Sequence, residues 1–306
     1  MKLLVHGLSK SFGSVRAVQD VGFSCDAGSV TGYIGPNGSG KSTTLRMIAG
    51  LVRPDAGQVT IDGRPLASLP NPGRSVGFLL DPAAHHPGRS VRETAVLPAV
   101  MMGLPLGRVD EVLATVGLSS VRKRKVRALS LGMRQRLSLA IALLGQPEVM
   151  VLDEPANGLD VEGMAWLKGL LRSLADGGAA VLVSSHLLNE LETYADRAIV
   201  IDRGRVVSDR DLRRSSLGAS TFVTGPDFAA VERALSEAGL DYLRGSDRDG
   251  APGFLVSRSA DEVGEVVWRR HVRLSRLHLS SGESLEAHYN SLTSPEFAAI
   301  EEQGRA

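Results

Sequence analysis

Apolar positions along this chain fall into two patterns. Three short runs are almost wholly apolar: Val76-Gly77-Phe78-Leu79-Leu80, Val149-Met150-Val151-Leu152 and Ala180-Val181-Leu182-Val183-Ser184. Runs of this length predict strands buried on both faces, the last of them ending at Ser185-His186. Upstream, Leu3-Leu4-Val5, Val18 to Ser24 and Ser29 to Ile34 are separated by Gly13 and by Asp26-Ala27-Gly28. That punctuation predicts an antiparallel sheet. Val59-Thr60-Ile61 reads as a further strand leading into a turn.

Helical spacing appears between these strands. It covers Thr43 to Ala49, then Val91 to Val116 with breaks at Pro98 and at Gly103-Leu104-Pro105, then Leu137 to Leu144. From about Ser215 the pattern changes. Strands are expected at Thr221-Phe222-Val223, Phe254-Leu255-Val256 and Leu274 to Leu279, and helices at Phe228 to Ala238, Ala260 to Arg270 and Ser284 to Leu292. This predicts a small α+β module with a hairpin-like polar loop from Gly245 to Gly253. Trp268 is expected as a packed residue at a helix end.

Chemistry concentrates where a strand meets a helix. Gly35-Pro36-Asn37-Gly38-Ser39-Gly40-Lys41-Ser42 follows Ile34 and fits the G-x-x-x-x-G-K-[ST] pattern. Glycines at these places let backbone N–H groups turn inward around a polyphosphate, and the helix that follows adds its positive end. Lys41 is then placed for β- and γ-phosphates, and Ser42 for Mg²⁺. The strand Val149-Leu152 runs into Asp153-Glu154-Pro155, and in open α/β sheets ligands bind outside the carboxyl ends of the strands. Asp153 suits a metal ion and Glu154 suits activation of water. His186 ends another strand, where it serves either as a structural imidazole or as part of the same site. Phe12, taken alone, reads as a core residue ahead of a platform for a base. Ser130 caps the helix that follows it, ahead of an open Gly132.

Composition narrows the class. The 306 residues are 43% hydrophobic, enough for one large domain and a small one, and 35 basic against 34 acidic residues leave a net charge of +1. No global basic field points to nucleic acid, and the basic run Val121-Arg127 reads as a solvated turn. The single Cys25 excludes an intramolecular disulfide framework. His85 and His86 are adjacent and cannot share a helix face as a metal pair, so they read as loop residues. No apolar run approaches the ~20 residues that a bilayer span needs. The chain is therefore expected in the cytosol unless a membrane partner holds it at the cytoplasmic face of the plasma membrane.

These motifs, in this order, resemble the nucleotide-binding domain of ABC transporters over roughly residues 1–210. The family's signature, usually Leu-Ser-Gly-Gly-Gln, stands here as Leu129-Ser130-Leu131-Gly132-Met133. The resemblance implies an α/β fold of the P-loop NTPase type, ABC class. Its nucleotide-binding domain would span residues 1–214, with a helical subdomain at about 82–147, and be followed by a C-terminal α+β domain at 215–306.

It implies ATP and Mg²⁺ as ligands, and hydrolysis by Glu154 with His186. Nucleotide would be held by Phe12, Gly35, Pro36, Asn37, Gly38, Ser39, Gly40, Lys41, Ser42 and Thr43, with Ser130, Gly132 and Asp160 contributed across a head-to-tail dimer. The metal set would be Ser42, Asp153 and Asp81, the last in place of the family's usual glutamine. Together with Asp153 to Asp160, the departures at Asp81, Leu131 and Met133 are most similar to ATPase subunits of bacterial antibiotic exporters of the bacitracin and daunorubicin type. In those the permease is a separate chain, expected to dock near Ala83 to Arg92. The alternative is a soluble regulatory ABC ATPase not engaged in transport. A translation ATPase would need a second nucleotide-binding domain, and a chromosome or repair ATPase a long coiled coil; neither pattern is present.

Overall fold

The structure is a computed structural model that describes residues 2–82, 84–185, 191–213, 220–247, 250–256 and 258–280. They fall into two compact units, Met1–Arg210 and Asp211–Ala306.

The first unit opens with a hairpin. Strands β1 (Leu3–Phe12) and β2 (Val15–Cys25) turn at Gly13, and β4 (Ala56–Ile61) pairs with the other edge of β1. One face of this sheet packs Leu3, Val5, Leu8, Val18, Val21 and Phe23 into the core.

A second sheet has the order β5-β6-β7-β3-β8-β9. It comprises β3 (Ser29–Ile34), β5 (Val76–Leu79), β6 (Val149–Leu152), β7 (Ala180–Ser185), β8 (Arg197–Asp202) and β9 (Arg205–Asp211). The pairs β5–β6, β6–β7, β7–β3 and β3–β8 are all parallel. Two expectations are corrected here. Strand β3 does not belong to the antiparallel sheet: both its edges are paired in the parallel sheet, and all six of its residues are buried. Its apolar run therefore has the same cause as those of β6 and β7, burial on two faces. The pattern also predicts no strand between Ser185 and Ser215, whereas β8 and β9 lie there.

Six helices of this unit lie wholly within the described residues. Helix α1 (Lys41–Ile48) follows β3, and the four-residue α2 (Pro72–Ser75) leads into β5. Helices α3 (Val91–Met101), α4 (Gly107–Thr115) and α5 (Leu131–Ala142) lie between β5 and β6 in sequence, and α6 (Val161–Asp176) lies between β6 and β7. The expected break at Pro98 is absent. Pro98 lies inside α3, and the ladder continues past it, with Met102 N donating to Pro98 O. The other expected break, at Gly103-Leu104-Pro105, is present, and Gly103 has φ +65° there.

In the second unit the described residues hold an antiparallel sheet of order β11-β12-β10-β13 and, wholly within them, two helices. Its strands are β10 (Ser220–Thr224), β11 (Tyr242–Ser246), β12 (Pro252–Val256) and β13 (Arg276–Ser280). Helices α7 (Phe228–Glu237) and α8 (Ala260–Arg269) supply Val231, Leu235, Val263 and Val267 to a core with Val223 and Phe254. Trp268 is not packed: it is 76% exposed, because the buried stripe of α8 passes through Val263 and Val267 and the next residue points elsewhere. The helix expected over 284–292 lies outside the described residues.

Candidate functional site

The parallel register decides which loops meet. Leu79 pairs with Leu152, Leu152 with Val183, and Ile34 with Ser185. The chain segments that follow these strands, namely Asp81, Asp153-Glu154 and the phosphate loop, therefore emerge on one sheet edge. His186 lies outside the described residues.

The phosphate loop is held by backbone approaches that admit no side chain. A Cβ at Gly35 would lie 2.3 Å from Ile201 O and 2.6 Å from Ser39 Oγ. Gly40, with φ +101°, would bring a Cβ to 2.3 Å from Ala17 O. The β8–β9 turn braces the loop from outside, with Gly204 N donating to Ser39 O.

Within this frame Lys41 is buried, and Nζ donates to Gly35 O at 2.7 Å and to Pro36 O at 3.0 Å. Burial holds its ammonium below the usual lysine range, while the Glu154 and Asp153 carboxylates oppose that fall. Gly40 opens α1 without a side-chain cap, and Ser42 and Thr43 lie half-buried in its first turn. Ser39 Oγ is buried without a hydrogen-bond partner. An uncapped helix start, an orphaned hydroxyl and a lysine turned onto its own loop form a cradle that fits a polyphosphate.

The two acids are fixed from behind. Ser184 Oγ donates to Asp153 Oδ1 at 2.5 Å and accepts from Glu154 N at 2.9 Å. Asp153 N donates to Leu79 O at 2.7 Å, which ties the loop after β6 to β5. Glu154 adopts φ +47°, and Gln135 Nε2 donates to its carbonyl at 3.0 Å. Sequence reasoning overlooked Ser184 and Gln135 as site residues. Each carries a legible signal: Ser184 is a hydroxyl in a fully buried strand, and Gln135 lies on the buried stripe that continues to Leu139 and Ala142.

The remaining candidates lie on neighbouring loops. Ser130 caps α5, accepting from Met133 N at 3.2 Å, and is exposed. Gly132 packs against the loop after β6, where a Cβ would lie 2.7 Å from Gly158 O. Asp160 caps α6, accepting from Gly163 N at 2.8 Å. Phe12, at the end of β1, is 52% exposed, with Lys10 Nζ 5.6 Å from its ring centre. Asp81 is exposed. His85 leaves that loop to place Nε2 2.7 Å from Ser138 Oγ on α5, and burial pushes its imidazole pKa down.

Among the described residues no helix is long and apolar enough to cross a membrane. Residues 18–157 match the ABC transporter family. The daunorubicin/doxorubicin resistance ATP-binding protein of Streptomyces peucetius is 35% identical over 285 residues, covering 89% of this chain and 84% of that protein. The bacitracin transport ATP-binding protein of Bacillus licheniformis is 36% identical over 205 residues, covering 66% and 67%. A dimeric ATP-binding cassette, solved in a post-hydrolysis state with ADP and Pi, superposes with a TM-score of 0.64 at 26% identity, over 69% of this chain and 99% of that one. With its phosphate cradle and paired acids on one sheet edge, this chain belongs to the ATP-binding, ATP-hydrolysing subunits of ABC transporters.

Proposed function

We propose that this chain powers export of drug- or antibiotic-type molecules, working as a head-to-tail dimer on a separate permease at the cytoplasmic face of the plasma membrane. Relatives named for bacitracin transport and for daunorubicin resistance support the substrate class. The observation that carries the catalytic part is the shared edge, where the ammonium of buried Lys41 feels the carboxylates of Glu154 and Asp153. The regulatory alternative lacks such support, since the relatives are named for transport or resistance.

In this reading the loop N–H groups, Ser39, Lys41 and Thr43 bind the phosphates, and exposed Phe12 stacks on the base. Ser42, Asp153 and Asp81 supply the oxygen donors that suit Mg²⁺, which when bound neutralises phosphate charge. Glu154 orients and deprotonates water at the γ-phosphate, with His186 as its partner at the end of β7. Ser130, Gly132 and Asp160 complete the partner's site. Residues 1–214 form the catalytic domain, with its helical subdomain near 82–147, and 215–306 form an accessory domain.

The test is Mg²⁺-dependent ATP hydrolysis across a protein-concentration series, run beside Glu154→Gln. Specific activity is expected to rise with concentration, and the variant to bind ATP while losing turnover by about 100-fold or more. Wild-type turnover in Glu154→Gln would remove Glu154 from its role.

A further inference from the structure

Glu154 is held in a backbone conformation that a residue with a Cβ disfavours, φ +47°. Such a conformation persists only where the surroundings over-determine it. Here both polar groups of the residue's backbone are engaged by side chains from different elements. Its N–H is taken by Ser184 Oγ on β7 and its carbonyl by Gln135 Nε2 on α5, and Asn157 N adds a second donor to that carbonyl at 3.2 Å.

Gln135 is the unusual member. It is fully buried, and its Oε1 has no hydrogen-bond partner. Burying an amide with one end unsatisfied is costly, so the bond made by the other end is what the residue supplies. The orientation is also forced, since the reverse would set two oxygens against each other. Gln135 lies five residues beyond Ser130 on the helix that begins at the signature turn, and the same turn touches the far end of the Glu154 loop through Gly132 and Gly158 O. A helix cannot shift its first turn without carrying its second, so movement of the signature turn is delivered to the Glu154 carbonyl.

We propose that Gln135 and Ser184 are positioning residues that clamp the Glu154 backbone and thereby set its carboxylate, with Gln135 making that setting answer to the signature turn of the same chain. This rests on the reading of Glu154 as the group that activates water. Gln135→Met keeps length and burial, deletes the bond and removes the orphaned oxygen. The expected result is an unchanged or raised thermal midpoint, unchanged affinity for a fluorescent ATP analogue, a kcat lower by about 10- to 100-fold, and faster hydrogen exchange at the Glu154 and Asn157 amides. Ser184→Ala, a small deletion in a strand, is expected to reproduce the kinetic split and the exchange at Glu154.

Wild-type kcat in folded Gln135→Met, or unchanged exchange at these amides, overturns the proposal. The exchange readout does not depend on catalysis. If Glu154→Gln still hydrolyses ATP while Gln135→Met exchanges faster, the clamp stands and the assigned role of Glu154 falls.

Discussion

Leu131 and Gly158 fit one another at the scale of single residues. Leu131 stands where the signature of this family usually has glycine, and Gly158 holds φ +77° beneath it. A Cβ at Gly158 would lie 2.5 Å from both Cγ and Cδ2 of Leu131. Read in the sequence, Leu131 is a departure that subtracts from the signature; in the fold it is a contact between that turn and the loop after the acids. Sequence could not show this, because the two residues are distant along the chain and neither belongs to a periodic pattern. Gly158→Ala is expected to destabilise through left-handed strain of about 1–2 kcal/mol and through overpacking of about 1–3 kcal/mol. Leu131 is half exposed and can swing toward solvent, which places the overpacking part at the low end. Adding Leu131→Gly should return that part and leave the strain, so urea midpoints of the two single variants and the double variant should be non-additive. Additive midpoints would mean that the two residues do not touch.

Elements were legible where burial was uniform. Strands β6 and β7 appear as apolar runs because every residue in them is buried, with Val149, Val151, Ala180 and Leu182 sharing a core with β1 and β2. Strand β8 carries a four-residue apolar run, Ala198 to Ile201, of the same kind as β6 and equally legible; beside it the Arg197 guanidinium is anchored by Asp209 and by Ser24 O. The phosphate loop and the acids were legible because their spacing is dictated by chemistry, whereas Gln135 and Ser184 are marked as polar residues at buried positions but not by what they hold, since backbone groups are offered by any loop. Helix α3 permits a test of an element boundary. Its start is a capping box in which Ser90 Oγ accepts from Glu93 N and Glu93 Oε2 accepts from Ser90 N at 2.6 Å. The Ser90 backbone N–H, then the Ser90 hydroxyl, then Lys125 hold the Glu93 carboxyl below its ordinary 4.5. A depressed carboxyl pKa contributes stability that is present above the unfolded value and lost as pH falls through the folded one. The stability difference between wild type and Glu93→Gln is therefore expected to stay level from neutral pH down to about 5 and to shrink below 4.5. A difference that does not vary with pH would assign the cap to Ser90 alone.

At the scale of the whole molecule, one chain offers one phosphate cradle and one signature turn, and the signature turn packs on the chain's own loop after β6. Ser130 caps α5 while remaining exposed, so the start of that helix presents its open N–H groups outward. If two copies meet head to tail, each cradle is completed by the other copy's signature turn. Complementation tests this without structural knowledge of the dimer. Lys41→Ala disables a cradle and Ser130→Arg disables a signature turn, so either variant alone is expected to be inactive. In an equal mixture, half of the dimers pair one variant with the other. Each mixed dimer then has one site in which an intact cradle faces an intact turn, so activity should recover to about a quarter of wild type if the sites work independently. Recovery should rise with protein concentration and vanish when Glu154→Gln is added to the chain that supplies the intact cradle. It should survive when Glu154→Gln is added to the chain that supplies the intact turn, apart from the effect of any coupling through Gln135. Absence of recovery, although mixed dimers form, would assign both halves of each site to a single chain and overturn the head-to-tail arrangement.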